Sequence, residues 1–151
     1  MSGTNYVLGF LFSEEGEVAL IRKARPAWQA GKWNGVGGKI EADEAPTDAM
    51  SREYEEETWQ KVTNWQKVAR LIDVRGYVVH VFAAMGSPTS TEKVNVDAGN
   101  YVHVEEMMEV FDMSRLPSLV LPNVKWLVPM AWSVLIGAET RAATFDIMER
   151  P

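Results

Sequence analysis

Residues 38–60 read GKIEADEAPTDAMSREYEEETWQ, and four glutamates of this stretch fall within five positions. Like charges three or four residues apart repel each other on a helix surface. At about 100° per residue, Glu53, Glu56 and Glu57 share one face of a helix, whereas Glu55 points away from it. The stretch is therefore either an ordinary solvated acidic surface or a surface that binds something positive.

The residues before the glutamates predict where this helix begins. Pro46 suits the first turn, and Thr47 and Asp48 suit the positive end of the helix dipole. We therefore predict a helix from Ala45 to about Lys61. Its apolar stripe would consist of Ala49, Met50 and Tyr54.

Composition limits the classes of protein that this chain can belong to. Its 151 residues are 46% hydrophobic and carry a net charge of −6, which suits one globular domain over residues 1–151. An acidic surface disfavours nucleic acid as a partner, because that binding depends on neutralising phosphates. The chain has no cysteine, which excludes disulfides and thiolate chemistry and fits a cytoplasmic protein.

Neither end of the chain predicts a membrane segment. The N-terminus lacks a basic region and turns acidic too early for a signal peptide. The most apolar run, at residues 126–137, is too short to cross a bilayer. We expect no membrane partner.

The remaining pattern predicts strands first, then the acidic helix, more strands and a closing helix. Such an order is typical of a mixed α/β domain with helices packed on a sheet. The predicted strands are residues 6–12 and 18–22 as a hairpin, 68–74, 77–85 and 101–104. A loop at 24–38, a small helix near 105–110 and a final helix from about 123 toward 141, kinked or split at Pro129, complete the prediction.

The spacing of charged residues and glycine in the opening stretch resembles the Nudix box. The residues that fit the box are Gly38, Glu44, Arg52, Glu53, Tyr54, Glu56 and Glu57. The resemblance implies the α/β/α sandwich of that family, with a mixed sheet and a helix that bears the carboxylates. Trp59 and Gln60 replace the usual glycine and aliphatic residue at the end of the box, so we expect the helix to continue toward Lys61 or Asn64.

Three convergent carboxylates and a main-chain carbonyl form an all-oxygen site that suits Mg²⁺ or Mn²⁺. By resemblance, Glu56 and Glu57 would be the main metal ligands, together with the Gly37 carbonyl. Glu53 would be a further ligand or the base for the attacking water. Arg52 would orient the glutamates, and Glu44 would support the loop that leads into the helix.

Substrate contacts are expected from residues on both sides of the box. Phosphate contacts are predicted for Arg22, Lys23 and Lys39, with Gly38 allowing close approach of the backbone. Base contacts are predicted for Trp33 and Asn34 before the box, with Trp28 nearby, and for Asn123 and Trp126 at the last helix. A further catalytic acid is expected at Glu92 or Asp97, with Glu105 as the next candidate.

The resemblance implies hydrolysis of a nucleoside diphosphate linked to another group. Our first hypothesis is that the substrate is a nucleoside triphosphate, including modified purine deoxynucleotides, and that it is cleaved to the monophosphate and pyrophosphate. Dinucleoside polyphosphates, for which Tyr77 is a weak indicator, and nucleotide sugars are alternatives. A nucleotide-binding module without activity and a purely structural acidic helix are the other classes. The chain would be a monomer or a homodimer joined through its apolar C-terminal segment.

Overall fold

The computed structural model describes residues 3–96, 102–137 and 145–149. The elements in these residues are β1 (Asn5–Phe12), β2 (Glu17–Arg22), β3 (Trp33–Asn34), β4 (Val36–Lys39), α1 (Pro46–Thr58), β5 (Gln66–Asp73), β6 (Val78–Met85), β7 (Thr91–Val96), β8 (Val102–Asp112), α2 (Val124–Leu135) and β9 (Phe145–Glu149). Neither helix in this part of the chain is long and apolar enough to span a bilayer.

The strands form one mixed sheet. Its order is β7-β8-β2-β1-β6-β5-β9, with β3 paired to β2 and β4 paired to β1. β1 and β2 are antiparallel, as the predicted hairpin requires, whereas β1 and β6 are parallel. The predicted mixed sheet is confirmed.

Hydrophobic cores cover both faces of the sheet. Successive side chains of a strand point to opposite faces, so Leu8 and Phe10 of β1 pack on the α2 side while Val7 and Leu11 pack on the α1 side. Each helix covers one of these faces. This arrangement is the predicted α/β/α sandwich.

Several predicted boundaries are wrong because pairing between distant strands overrides local propensity. Residues 105–110, predicted as a small helix, lie within β8, which pairs with both β2 and β7. The predicted loop at 24–38 contains β3 and most of β4, and β9 was not anticipated. Pro129 lies inside α2 without splitting it.

The predicted continuation of α1 beyond Trp59 is also wrong. α1 ends at Thr58, and Trp59 adopts the left-handed conformation with φ 58°. Thr58 Oγ1 donates to the Tyr54 carbonyl at 2.6 Å and accepts from the Gln60 N–H at 3.0 Å, which supplies hydrogen bonds at the helix end. A tryptophan therefore occupies the position and conformation that usually belong to glycine.

Candidate active site

Two glycines of β4 let the backbone approach α1 and β1 closely. A methyl group added at Gly38 would overlap the Glu53 carboxylate, and one added at Gly37 would overlap the Val7 carbonyl oxygen. The box helix consequently holds Glu53 directly against bare backbone. This close approach is the local reason for glycine at both positions.

Arg52 organises the acidic residues around it. Its Nε and Nη2 donate to the two carboxylate oxygens of Glu44 at 2.8 and 2.9 Å. Its Nη1 donates to Glu53 at 2.9 Å and lies 3.3 Å from Glu56 Oε2, and Nη2 donates to the Lys39 carbonyl at 3.1 Å. One guanidinium therefore fixes the loop before α1 and reduces the repulsion between the glutamates.

The same arginine has different effects on two carboxyl groups. Its hydrogen bonds lower the pKa of Glu44 from 4.5 to about 2. Burial raises the pKa of Glu53, and this effect exceeds the opposing hydrogen bond from Arg52. Glu44 is therefore a fixed anion, whereas Glu53 accepts a proton more readily than a solvated glutamate does.

The other box acids extend from this network toward solvent. The Glu56 side chain is 55% exposed. Glu57 is half-buried, with its Oε2 atom shielded from solvent, and Glu55 is exposed. The donors are all oxygen atoms, which suits a hard divalent cation. In the described residues, no three side chains of His, Cys, Asp or Glu already surround one point.

A cavity of about 550 Å³ adjoins Gly37 and Gly38 on the α2 side of the sheet. Its volume lies within the range of about 300–1,000 Å³ that is usual for small-molecule sites. The wall includes the side chains of Lys23, Asn34 and Asn123, and the apolar floor includes Leu8, Leu71 and Val79. The fold thus brings Lys23, Asn34, Gly38 and Asn123, four of the predicted substrate residues, to one cavity.

The remaining predicted substrate residues do not line this cavity. Trp33 is buried in the core, where its ring packs against Phe111 with centroids 4.9 Å apart. Trp126 lies on α2 and is 38% exposed. Arg22 and Lys39 are exposed at the ends of β2 and β4. Trp28, in contrast, does line the cavity.

The structure adds residues that the sequence analysis missed. Glu106 of β8 lies 3.2 Å from Lys23 Nζ, and the two side chains are 12% and 20% exposed. Glu106 thus contacts a residue of the cavity wall, whereas Tyr6, Asp73 and Arg75 line the cavity themselves. The two-residue spacing of Leu71 and Asp73 along β5 does predict that their side chains share one face of the sheet. It does not show which face holds the cavity.

The expected further acid is outside what the structure describes. Asp97 is not among the described residues. Glu92 and Glu105 are described only as strand positions, in β7 and β8. Their roles stay predictions.

The fold and the box geometry agree with the comparison with known families. A model of the NUDIX domain matches residues 4–126, which is most of the chain. The chain belongs to the NUDIX family.

Individual relatives share only limited sequence identity with this chain. The CTP pyrophosphohydrolase of Escherichia coli (strain K12) is 32% identical over 78 residues, which are 51% of this chain and 58% of that protein. A NUDIX hydrolase from Nitrosomonas europaea superposes with a TM-score of 0.69 at 17% identity, over 99% of this chain and 81% of the other. A mutator MutT protein from Bacillus halodurans gives 0.66 at 20% identity, over 99% and 92%. These structural matches establish the fold.

Proposed function

We propose that this protein is a pyrophosphohydrolase that cleaves a nucleoside triphosphate to the monophosphate and pyrophosphate with the help of Mg²⁺ or Mn²⁺. The proposal rests on two features that lie on either side of Gly38. On one side lies Glu53 of the network around Arg52, and on the other lies a cavity of nucleotide size. Membership of the family and the similarity to a CTP pyrophosphohydrolase support the same reaction.

The box residues would hold the metal ion. Glu56 and Glu57 are its main candidate ligands, with Glu53 and the Gly37 carbonyl as further donors. A bound divalent ion neutralises phosphate charge and makes water more acidic. Arg52 keeps the carboxylates on one face, and Glu53, with its raised pKa, is the candidate base for the attacking water.

The cavity would hold the nucleoside and direct its phosphates toward the box. Lys23 supplies a cation at the wall. Its backbone bonds to Lys32 and Gly31 at 2.9 and 2.8 Å, and its Nζ lies 3.2 Å from Glu106, which orients the ammonium. Asn34 and Asn123 line the cavity with amides, which can both donate and accept hydrogen bonds. Asn34 Oδ1 also accepts from the Gly35 N–H at 2.8 Å, which fixes the orientation of that amide. The apolar floor and the exposed ring of Trp28 suit a planar base between them.

A dinucleoside polyphosphate is the second candidate substrate. Tyr77 lines the cavity, is 40% exposed and stands 6.3 Å from the ring of Tyr6. Such a pair of rings would suit a second base. The reaction at the box would be the same, so only a comparison of substrates separates the two candidates.

The test is pyrophosphate or phosphate release with Mg²⁺ and with Mn²⁺ across a panel of substrates. The panel contains ordinary and oxidised nucleoside triphosphates, diadenosine polyphosphates, ADP-ribose and UDP-glucose. Glu57→Gln should lower turnover at least about a hundredfold, because it removes a charged ligand or acid. Glu55→Gln, on the same helix but exposed on the other side, should keep full turnover.

Circular dichroism of both variants checks that they are folded. Equal turnover in Glu57→Gln and Glu55→Gln would contradict the role of the box. Cleavage of diadenosine polyphosphates alone would favour the second candidate. Nucleotide binding without cleavage of any member of the panel would indicate a binding module instead.

A further inference from the structure

The far end of the cavity carries a carboxylate that the reaction itself does not use. Asp73 ends β5 two positions after Leu71, so both side chains point to the α2 face of the sheet. Leu71 forms part of the apolar floor, and Asp73 lines the adjoining wall. The Asp73 side chain is 20% exposed, whereas that of Arg75 is 73% exposed. The carboxylate is therefore the less exposed member of this ion pair.

Arg75 holds the Asp73 carboxylate in one orientation. The backbone N–H and Nε of Arg75 donate to Asp73 Oδ1 at 2.7 and 2.8 Å, and Nη2 donates to Oδ2 at 2.9 Å. These bonds keep the pKa of Asp73 low, at about 2, so the group is ionised at neutral pH. An ionised carboxylate accepts about four hydrogen bonds. The described contacts with Arg75 use two of these acceptor sites on Oδ1 and one on Oδ2, so one acceptor site remains on Oδ2.

The residues around this position form a flat apolar surface with the carboxylate at its edge. Leu71 and Val79 are direct partners in the β5–β6 ladder and form an apolar platform. Asp73 lies about 7 Å beyond Leu71 along the same strand. A base stacked on the platform would extend far enough for its edge to reach the carboxylate. Tyr77, whose ring stands 5.3 Å from the Arg75 guanidinium, closes the adjoining side. A base lying on the platform would thus present one edge to Asp73.

We propose that Asp73 selects the base by accepting a hydrogen bond from an exocyclic amino group. The site then favours cytosine over uracil and adenine over hypoxanthine. A carbonyl in the same place would bring its lone pairs against an acceptor that cannot donate. Asn123 does not impose this choice, because an amide group can serve either base. Asn34 is oriented by the Gly35 N–H, which donates to its Oδ1 at 2.8 Å, but that oxygen keeps a second lone pair beside the N–H₂ donors. The inference rests on the proposed function only in assuming that the cavity takes a nucleotide.

The test is the binding of nucleoside monophosphates, measured by calorimetry so that no turnover is needed. Wild-type protein should bind CMP at least about tenfold more tightly than UMP, and AMP similarly more tightly than IMP, as expected for a hydrogen bond to a charged group. Asp73→Asn should abolish or invert both preferences, because an N–H₂ group can replace Oδ2. The remaining side-chain oxygen still accepts from the Arg75 N–H, which preserves the turn.

The chain offers a matched control in Asp146→Asn. Asp146 is also held by two arginine bonds, from Arg70 at 2.8 and 2.7 Å, on the strand next to β5. It is not a lining residue of the cavity. This variant should leave the CMP/UMP and AMP/IMP ratios as in the wild type.

Three results would overturn the role of Asp73. They are wild-type affinity ratios within about twofold, equal effects of Asp73→Asn and Asp146→Asn, or no binding of any of the monophosphates. Failure of this inference differs from failure of the proposed function. Triphosphate cleavage without base preference would support the proposed function and contradict the role of Asp73. Base-selective binding without cleavage would support the role of Asp73 and contradict the proposed function.

Discussion

At the scale of single residues, Arg52 explains how so many acids share one short stretch. It contacts Glu44, Glu53, Glu56 and the Lys39 carbonyl, which no single lysine could do because an ammonium lacks the planar fork. The resemblance to the Nudix box implied that Arg52 orients the glutamates, and the structure places its Nη1 3.3 Å from Glu56 Oε2. The bidentate bond to Glu44 came only from the structure.

Glu44 should give the protein a component of stability that depends on pH. Its pKa is about 2 in the folded protein, below the ordinary value of 4.5. The contribution is therefore complete above pH 4.5 and is lost as the pH falls toward 2. Glu44→Gln should lower the free energy of unfolding by about 1–2 kcal/mol at pH 7, and by much less near pH 2.5. Urea unfolding at the two pH values measures the difference.

Glu41→Gln is the control for this prediction. The Glu41 side chain is 69% exposed and lies 3.8 Å from the same arginine. Its loss should change the free energy of unfolding by less than about 0.5 kcal/mol. A wild-type advantage over Glu44→Gln that persists unchanged at low pH would mean that the ion pair is not its source.

At the scale of elements, the C-terminal end of α1 contains a residue in a strained backbone conformation. Trp59 has a left-handed backbone and is 69% exposed, so little packing offsets the strain. Trp59→Gly should therefore stabilise the protein by about 0.5–1 kcal/mol. Thermal unfolding would show this as a higher midpoint.

Trp59→Ala separates backbone strain from loss of the ring. Alanine keeps the Cβ atom and the strain, so this variant should show no gain in stability. If glycine and alanine have the same effect, the conformation of Trp59 is not costly. If both destabilise the protein, the exposed ring makes contacts that matter to the fold.

At the scale of the whole molecule, one sheet joins two cores and should make them unfold together. Leu127 is fully buried on the α2 side and Met50 on the α1 side. Leu127→Ala and Met50→Ala should each lower the free energy of unfolding by about 2–5 kcal/mol. In both variants, urea curves from circular dichroism and tryptophan fluorescence should coincide, as for one cooperative domain.

Leu119→Ala is the control, because Leu119 is 63% exposed and should change stability by less than about 0.5 kcal/mol. Curves that separate by probe would show that the two faces unfold independently. That result would contradict the prediction of a single domain.

The sequence alone determined the features that depend on local spacing. A helical period places Glu53, Glu56 and Glu57 on one face, and strand alternation with turn residues predicted β1, β2, β5 and β6 to within a few residues. Helix and strand geometry are properties of neighbouring residues, so a pattern is enough to recognise them. The order of these elements predicted an α/β domain with helices packed on a sheet, and the resemblance to the Nudix box implied that the sheet is mixed.

Only the tertiary structure decided which distant residues meet. The pairing of β8 with β2 brings Glu106 near Lys23, and the register of β5 on β6 sets Leu71 opposite Val79, beside Asp73. The same packing buries Trp33 in the core and leaves Trp28 at the cavity. Lys23 and Glu106, like Trp33 and the Phe111 ring it packs against, are far apart in sequence. Their geometry depends on the packing of the whole sheet, which no local pattern contains.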